Sequence, residues 1–259
     1  MAGLESKKLV WITGGGTGIG LAAAQRLAGQ GWHVVVSGRR QAELEAACQT
    51  VEAAGGSAEA VPLDVSDATA VAAAAADIVA RNGRLDALVC SAGTNVPNRY
   101  WKDLTPEAFA RVSAINLNGV AFCVTAALPA LRKAGQAGGA TIVVVSSWAG
   151  WRFLPFTGAA YGATKQGLSP LVESLNDQEG GNGIRATHVC PGEVATPILR
   201  SRPLPPPEED IARMLRPEDV GDAIAYALNA PAHVCLNEIV ISPTWNRIYR
   251  GADDLVRRD

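Results

Sequence analysis

The segment LVWITGGGTGIG, residues 9–20, joins a short apolar run to a glycine-rich turn and to the start of an alanine-rich stretch. The apolar run favours a buried strand, and the alanines that follow favour a helix. Glycines at positions 14, 18 and 20 let the main chain turn sharply and approach a ligand, whose phosphates can bind the N–H groups that open the helix. The segment therefore predicts a strand–turn–helix unit that binds a nucleotide, the alternative being a purely structural turn.

The same alternation of apolar, β-branched runs and alanine-rich, helix-length stretches continues along the chain. The runs span residues 9–13, 33–38, 58–65, 85–93, 141–147, 185–192 and 237–243. Strands that are apolar on both faces and separated by helices form parallel sheets covered on both sides. We therefore predict an α/β fold: a single doubly wound Rossmann domain over residues 1–259, with about seven parallel strands and about six helices on both faces.

Two local signals bear on the helices. The stretch at 66–83 has Ser66 as a candidate N-cap and an asparagine–glycine pair at its end, so it predicts a helix with defined termini. Pro170 falls inside the helix expected to begin near Tyr161. Because proline has no N–H group, it should kink or offset that helix.

The composition indicates a globular protein with 48% hydrophobic and 19% charged residues and a formal net charge of -2. With no block of like charge, no apolar stretch judged long enough to span a bilayer and no secretory signal, we expect neither nucleic acid nor membrane as a partner. The five cysteines form no C-x-x-C pair, and the three histidines have no spacing typical of metal ligands. We expect free thiols, no metal site and a cytoplasmic location.

The end of the second predicted strand, SGRR at 37–40, bears on the choice of nucleotide. An NAD site usually has a carboxylate here that binds the ribose 2′-hydroxyl. Arg39 and Arg40 stand there instead, and a guanidinium can grip a 2′-phosphate. We predict NADP(H) in preference to NAD(H), with Arg39 as the main contact; the alternative is that both arginines are solvated. Asp64, followed by Val65, is placed to contact the adenine.

Six segments, taken together, resemble one known family. They are TGGGTGIG (13–20), CSAG (90–93), INLNG (115–119), SSWAG (146–150), YGATK (161–165) and CPGEVATP (190–197). In this order and spacing they resemble the short-chain dehydrogenase/reductase family, over residues 7 to about 245. The resemblance implies hydride transfer between a nicotinamide cofactor and a carbonyl compound or secondary alcohol, and assembly as a homotetramer or homodimer.

The resemblance also implies which residues act. The catalytic set it implies is Asn116, Ser147, Tyr161 and Lys165, with Ser147 chosen over Ser146 because Gly150 follows at the family's spacing. The cofactor contacts it implies are Gly14, Gly16, Thr17, Gly18, Ile19, Gly20, Ala92, Gly93, Asn116, Tyr161, Lys165, Pro191, Gly192, Val194 and Thr196. Cys90 and Ser91 depart from the two asparagines that are usual in the family, so we expect the loss of a hydrogen bond to the central sheet.

The chemistry of such a set follows from the residue types. Reduction of a carbonyl requires an acid within hydrogen-bond reach of the developing alkoxide. A tyrosine with a pKa of about 10 must be shifted down by roughly two to three units to act as a base near neutrality, which needs about 3–4 kcal/mol. We expect Lys165, one helical turn from Tyr161, and the positive nicotinamide of the oxidised cofactor to lower that pKa together. We also expect Ser147 to donate to the substrate oxygen and Asn116 to hold a proton-relaying water.

The substrate side should lie at the carboxyl ends of the strands, in the loops at 94–101, 148–158 and 193–216. Aromatic residues crowd into the first two: Tyr100, Trp101, Trp148, Trp151, Phe153 and Phe156. They predict either an apolar wall for an aromatic or alicyclic substrate or internal packing. Glu193 could contact a polar substrate group, although a solvated loop acid is favoured. The predicted substrate contacts are thus Ser147, Trp148, Tyr161 and Glu193.

Two other functions stay open at this stage. One is a regulator that binds NADP(H) without chemistry, which the complete set of four catalytic residue types argues against. The other is epimerisation or dehydration on the same scaffold, which would form product without net cofactor turnover.

Overall fold

A computed structural model describes residues 7–251 and 255 of the chain, and within them seven parallel strands form one sheet. The strands are β1 (Leu9–Thr13), β2 (His33–Gly38), β3 (Ser57–Pro62), β4 (Ala87–Cys90), β5 (Ala140–Val145), β6 (Ile184–Pro191) and β7 (Glu238–Ile241). Their order across the sheet is β3-β2-β1-β4-β5-β6-β7, so the winding reverses between β1 and β4. The predicted doubly wound parallel sheet is confirmed, and a crevice opens where the order reverses.

Helices cover both faces of this sheet. In the described part of the chain they are α1 (Gly18–Ala28), α2 (Gln41–Ala53), α3 (Ala68–Asn82), α4 (Pro106–Ser113), α5 (Gly119–Gly138), α6 (Trp148–Trp151), α7 (Ala159–Gln166), α8 (Leu168–Glu179), α9 (Glu208–Ile211), α10 (Pro217–Asn229) and α11 (Arg247–Arg250). A π-helical turn at 114–118 joins α4 to α5, and only Gly167 separates α7 from α8. Counted as continuous segments, the long helices number about six, as predicted.

The alternation of side chains along β1 shows how the sheet divides the core. Leu9 and Trp11 belong to the apolar cluster under α3, α5 and α8, whereas Val10 and Ile12 belong to the cluster under α1, α2 and α10. All four side chains are at most 2% exposed. Full burial of such side chains contributes about 1.5–3 kcal/mol each, so both helical layers are held by the same strands.

The N-terminus of α3 begins at a different residue from the one expected, whereas its C-terminus ends as expected. Asp67, not Ser66, is the N-cap: its carboxylate accepts hydrogen bonds from the N–H groups of Thr69 and Ala70, both at 3.0 Å. Ser66 instead donates to the carboxylate of Asp64. At the other end Gly83 adopts the left-handed conformation, with φ 73°, as its position after Asn82 predicted.

The continuous helix Pro106–Gly138 corrects the expectation that no apolar stretch of the chain is long enough to span a bilayer. It has 33 residues and a mean hydropathy of 1.6 over its most apolar stretch, so by length and composition it could cross a membrane. The sequence hid this length because Asn116 and Asn118 interrupt the apolar pattern at the π-helical turn. In this fold the apolar side chains Val120, Val124 and Leu131 pack into the core.

Pro170 offsets its helix as predicted. α7 ends at Gln166 and α8 begins at Leu168, so proline occupies the first turn of α8, where a missing N–H group is tolerated. The break keeps Tyr161 and Lys165 together on the short helix α7.

The cysteines carry free thiols, as expected, and Cys190 lies in an unexpected polar group. His188 and Cys190 on β6 and Glu238 on β7 bring donor atoms within 4.8 Å of one another, a spacing that could hold a metal ion. The pairing of His188 with Glu238 across the sheet creates this group, which the order of residues along the chain did not indicate. Burial raises the pKa of the Cys190 thiol to about 12, and His188 Nδ1 lies 3.0 Å from a carboxylate oxygen of Glu238.

Candidate active site

The glycine-rich turn folds back tightly against the end of β4. Gly14 has φ 68°, and a Cβ atom there would lie 2.8 Å from the Cα atom of Ala92. A Cβ atom at Gly20 would lie 2.3 Å from the carbonyl oxygen of Gly14. No larger residue fits at either position, so the turn brings bare main chain to the edge of the crevice. Thr17 is the N-cap of α1, and its side chain caps no described N–H group.

A cavity of about 440 Å³ runs along this crevice from the end of β2 to α7. The predicted cofactor residues that line it are Gly14, Gly16, Thr17, Gly18, Ile19, Arg39, Arg40, Asp64, Val65, Ala92, Gly93, Tyr161, Lys165 and Thr196. Pro191, Gly192 and Val194 line a smaller cavity beside it, while Gly20 and Asn116 lie behind the surface. Length, bare main chain and a helix N-terminus fit a dinucleotide.

The end of the large cavity near β2 carries both signs of charge. Arg39 is exposed and lines the cavity, whereas Arg40 forms a 2.5 Å ion pair with Glu43. Hydrogen bonds from Ser66, together with the charge of Arg39, lower the pKa of Asp64. Arg39 is therefore the arginine better placed to meet a ligand, and Asp64 stays ionised beside it.

Lys165 and Asn116 are held beneath the junction of the two cavities. The ammonium group of Lys165 donates a 2.8 Å hydrogen bond to the carbonyl oxygen of Val145, and burial lowers the pKa of Lys165 to about 8. The amide of Asn116 exchanges two hydrogen bonds with the main chain of Thr94, at 2.8 and 2.9 Å. Asn116 thus ties the π-helical turn to the segment after β4.

Tyr161 lines both cavities and receives opposing influences on its acidity. Burial raises the pKa of Tyr161, and it outweighs the hydrogen bond with Ser147 and the charges of Arg202 and Arg99, which lower it. The lowered pKa expected from the Tyr161–Lys165 spacing is therefore not found in the protein alone. The Lys165 nitrogen is 5.8 Å from the centre of the tyrosine ring, and desolvation of the phenolate prevails.

The two adjacent serines have different surroundings. Ser146 is buried and donates to the carbonyl oxygen of Lys165 at 3.1 Å. Ser147 caps the short helix α6, accepting from the N–H group of Ala149 at 3.1 Å, and its hydroxyl reaches Tyr161. A Cβ atom at Gly150 would lie 2.1 Å from Ser146 Oγ, which explains why a glycine follows the serines.

The smaller cavity, of about 120 Å³, draws its walls from all three loops expected on the substrate side. Trp148 and Phe156 line it and are 3% and 8% exposed, so part of the predicted apolar wall is present. Trp101, Trp151 and Phe153 are 76%, 40% and 77% exposed and are not among the described residues that line the cavity. The aromatic crowding in the sequence therefore overstates the apolar wall.

Part of the remaining wall is charged, which the sequence did not indicate. Glu193, expected to be a solvated loop acid, is 5% exposed and lies 2.6 Å from Arg202 and 3.7 Å from Arg247. Arg99 and Arg202 also line the cavity. In the sequence, Arg99 and Arg202 both fall in loops that follow parallel strands, where ligands bind. Position alone does not distinguish them from surface arginines.

Comparisons with known proteins agree with this geometry. A family model described as short chain dehydrogenase matches residues 8–205. The chain is 33% identical to a cis-4-hydroxycyclohexanecarboxylate dehydrogenase of Sinomonas cyclohexanicum, over 91% of the chain and 94% of the relative. It is 31% identical to an uncharacterized oxidoreductase of Listeria innocua, over 92% and 96%. It is also 31% identical to a glycine betaine reductase of Emericella nidulans, of which it spans only 19%.

Two solved structures with different cofactors share the fold. An alcohol dehydrogenase from the archaeon Thermococcus sibiricus, complexed with 5-hydroxy-NADP, has a TM-score of 0.82 at 27% identity, covering 93% of this chain and 99% of that one. A short chain dehydrogenase from Mycobacterium paratuberculosis, bound to NAD, has a TM-score of 0.77 at 26% identity, covering 90% and 96%.

Proposed function

The chain belongs to the short-chain dehydrogenase family, and on that premise we propose that it is an NADP(H)-dependent oxidoreductase acting on a carbonyl compound or secondary alcohol. One observation carries the proposal: Tyr161 stands where a dinucleotide-sized cavity meets a compact second cavity, with the Ser147 hydroxyl bonded to it. A proton donor is thus available at the boundary between a cofactor site and a substrate site.

In the proposed reaction Ser147 and Tyr161 have different roles. The nicotinamide ring, when bound, supplies or accepts the hydride. Ser147 donates a hydrogen bond to the substrate oxygen and stabilises the charge that develops on it. Tyr161, protonated near neutral pH because burial raises its pKa, gives its proton to that oxygen in the direction of reduction.

The oxidation direction needs the phenolate, and nearby cations stabilise it. The buried Lys165, with a pKa of about 8, is mostly protonated at neutral pH. The positive charges of Arg202 and Arg99 lower the pKa of Tyr161. These groups reduce the cost of removing the proton, and the amide of Asn116 holds the main chain beside them.

For the cofactor we propose NADP(H), with Arg39 as the main contact to the 2′-phosphate. The exposed Arg39 lines the cavity and has Asp64 nearby, while Arg40 is engaged with Glu43. A guanidinium binds a phosphate through paired hydrogen bonds. One of the similar solved structures carries an NADP derivative and another carries NAD, so the comparisons favour neither cofactor. The proposed preference for NADP(H) therefore rests on Arg39 and needs its own measurement.

For the substrate we propose a compact alicyclic or aromatic compound. The walls formed by Trp148, Leu154 and Phe156 suit an apolar ring, and a volume of about 120 Å³ suits a small one. The relative from Sinomonas cyclohexanicum is named for a hydroxylated cyclohexane ring, which agrees with this size. We further propose a cytoplasmic homotetramer or homodimer, a state that light scattering would measure.

The proposal is tested by incubating the protein with NADPH or NADH and a panel of cyclic ketones, and with the oxidised cofactors and the matching alcohols. A change in nicotinamide absorbance together with the reduced or oxidised product is the expected result. Product without net cofactor turnover would identify an epimerase or dehydratase instead. Cofactor binding with no product from any member of the panel would favour a regulator.

A further inference from the structure

Two arginines line the substrate cavity together with Tyr161 and Ser147. Arg99 lies in the segment after β4 and is 4% exposed, and Arg202 lies in the segment after β6 with its side chain 15% exposed. The positive charge of each lowers the pKa of Tyr161, so both guanidinium groups are within electrostatic range of the phenol. Their charge favours the phenolate of Tyr161, but neither guanidinium gives or accepts the proton that the proposed reaction transfers.

Each guanidinium is held in place by surrounding groups. Arg202 donates to Glu193 at 2.6 Å, and its guanidinium carbon lies 5.4 Å from the centre of the Phe156 ring. Arg99 donates through Nε to the carbonyl oxygen of Val96 at 2.9 Å. Fixed guanidinium groups lose little freedom when they bind an anion, which favours recognition over a solvated surface arginine.

The described residues that line the cavity include more cationic than anionic side chains. Among the described residues that line it, Arg99 and Arg202 are cationic and Glu193 is anionic. Glu193 is itself shared, because Arg247 lies 3.7 Å from its second oxygen. Arg202 lowers the pKa of Arg99, so the two like charges repel each other at a site that water only partly reaches. An anion bound between them would relieve that repulsion.

We propose that Arg99 and Arg202 bind a carboxylate of the substrate, so that the substrate class is compact hydroxy- or oxo-carboxylates. The carboxylate lies at the arginines while the reacting hydroxyl or carbonyl carbon lies at Tyr161 and Ser147. This inference rests on the proposed function for its chemistry, and it adds an anionic end to the apolar substrate that the aromatic residues suggest. A planar carboxylate suits the paired N–H groups of a guanidinium.

The first test compares substrates of one shape and different charge. The wild-type protein is assayed with 4-oxocyclohexanecarboxylate, its methyl ester and cyclohexanone, with NADPH as reductant. A charge-assisted contact predicts kcat/KM for the acid about 10- to 100-fold above that for the ester. Equal or better turnover of the ester would overturn the inference while leaving the oxidoreductase proposal intact.

The second test removes each guanidinium. In Arg202→Gln and Arg99→Gln, the ratio of kcat/KM for the acid to kcat/KM for the ester should fall at least about tenfold, because any effect of the lost charge on Tyr161 is common to both substrates. Arg200→Gln, an exposed arginine two residues from Arg202 that does not line the described cavity, is the charge-matched control and should behave as wild type. Arg202→Lys keeps the positive charge but lacks the paired N–H groups of a guanidinium, so it should retain only part of the activity on the acid. Equal losses on acid and ester would show a structural role and overturn the inference.

Because Arg202→Gln leaves the buried Glu193 without its partner, a double variant keeps the test available if the single variant fails to fold. Glu193→Gln/Arg202→Gln removes both charges and should show the same selective loss on the acid. Retained preference for the acid in a folded double variant would contradict the proposal.

Binding separates this inference from the proposed function. Calorimetry on Tyr161→Phe with bound NADP should show the acid binding at least about tenfold more tightly than the ester, and that difference should disappear on adding Arg202→Gln. If this holds while the wild-type protein turns over no substrate, the carboxylate site stands and the oxidoreductase proposal fails. If neutral ketones are reduced but the acid binds no better than the ester, the oxidoreductase proposal stands and the carboxylate site is refuted.

Discussion

The ammonium group of Lys165 donates a 2.8 Å hydrogen bond to the carbonyl oxygen of Val145, the last residue of β5. This bond fastens α7 to the carboxyl edge of the sheet, where the two cavities meet. It also keeps the ammonium out of water, and burial lowers the pKa of Lys165 to about 8. A group that helps to build the site therefore destabilises the fold whenever it is charged.

That cost predicts a pH-dependent stability. The unfolded chain has a lysine pKa of about 10.4, so between pH 8 and that value it binds more protons at Lys165 than the folded protein does. The stability of the wild type relative to Lys165→Met should therefore rise with pH across this window, by up to about 3 kcal/mol. Urea unfolding of both proteins from neutral pH to about pH 10 measures it. A difference that stays constant with pH would show that burial does not lower the pKa of Lys165.

The cofactor preference can be tested at Arg39. Arg39→Gln should raise KM for NADPH at least about tenfold and leave KM for NADH nearly unchanged, because only NADPH has the 2′-phosphate. Arg26→Gln on α1 is the control, since Arg26 forms a 2.7 Å ion pair with Asp222 and is not among the described residues that line the cavity. Steady-state kinetics with both cofactors would show the effect. Equal changes for the two cofactors would mean that Arg39 does not read the phosphate.

The N-terminus of α3 offers a matched pair of variants. Asp67→Ala removes a carboxylate that accepts two main-chain hydrogen bonds and should destabilise the protein by about 1 kcal/mol, or about 2–4 °C in Tm. Ser66→Ala removes only a hydroxyl bonded to Asp64 and should change Tm less than half as much. Thermal unfolding of both variants measures the contrast. The opposite ranking would restore Ser66 as the cap.

The fold could be predicted from sequence because its determinants are local. Alternation of apolar and alanine-rich runs along the chain indicates strands and helices, and strands apolar on both faces require helices on both sides. The proline at 170 likewise acts within its own helix. The N-cap was displaced by one residue because Ser66 and Asp67 are both good caps, and the choice depends on the contact between Ser66 and Asp64.

The candidate site could be predicted only where motifs carry it. Tyr161 and Lys165 are neighbours by helical spacing, but the acidity of Tyr161 depends on how completely the fold surrounds it. Glu193 and Arg202 pair across a loop, and Arg247 joins them from a distant helix. Such contacts exist only in the folded chain, so the charged part of the wall of the smaller cavity was not visible in the sequence.

The central claim is that Tyr161 transfers the proton in a nicotinamide-dependent reaction. Tyr161→Phe keeps the ring and removes the hydroxyl, so NADPH should bind nearly as in the wild type while kcat falls by about 10²- to 10⁴-fold. Tyr226→Phe, at a side chain 67% exposed on α10, is the matched control and should retain full activity. The deciding measurement is kcat of Tyr161→Phe, from nicotinamide absorbance on a ketone that the wild type reduces. The account predicts that large fall with NADPH affinity preserved, and kcat within about threefold of the wild type would contradict it.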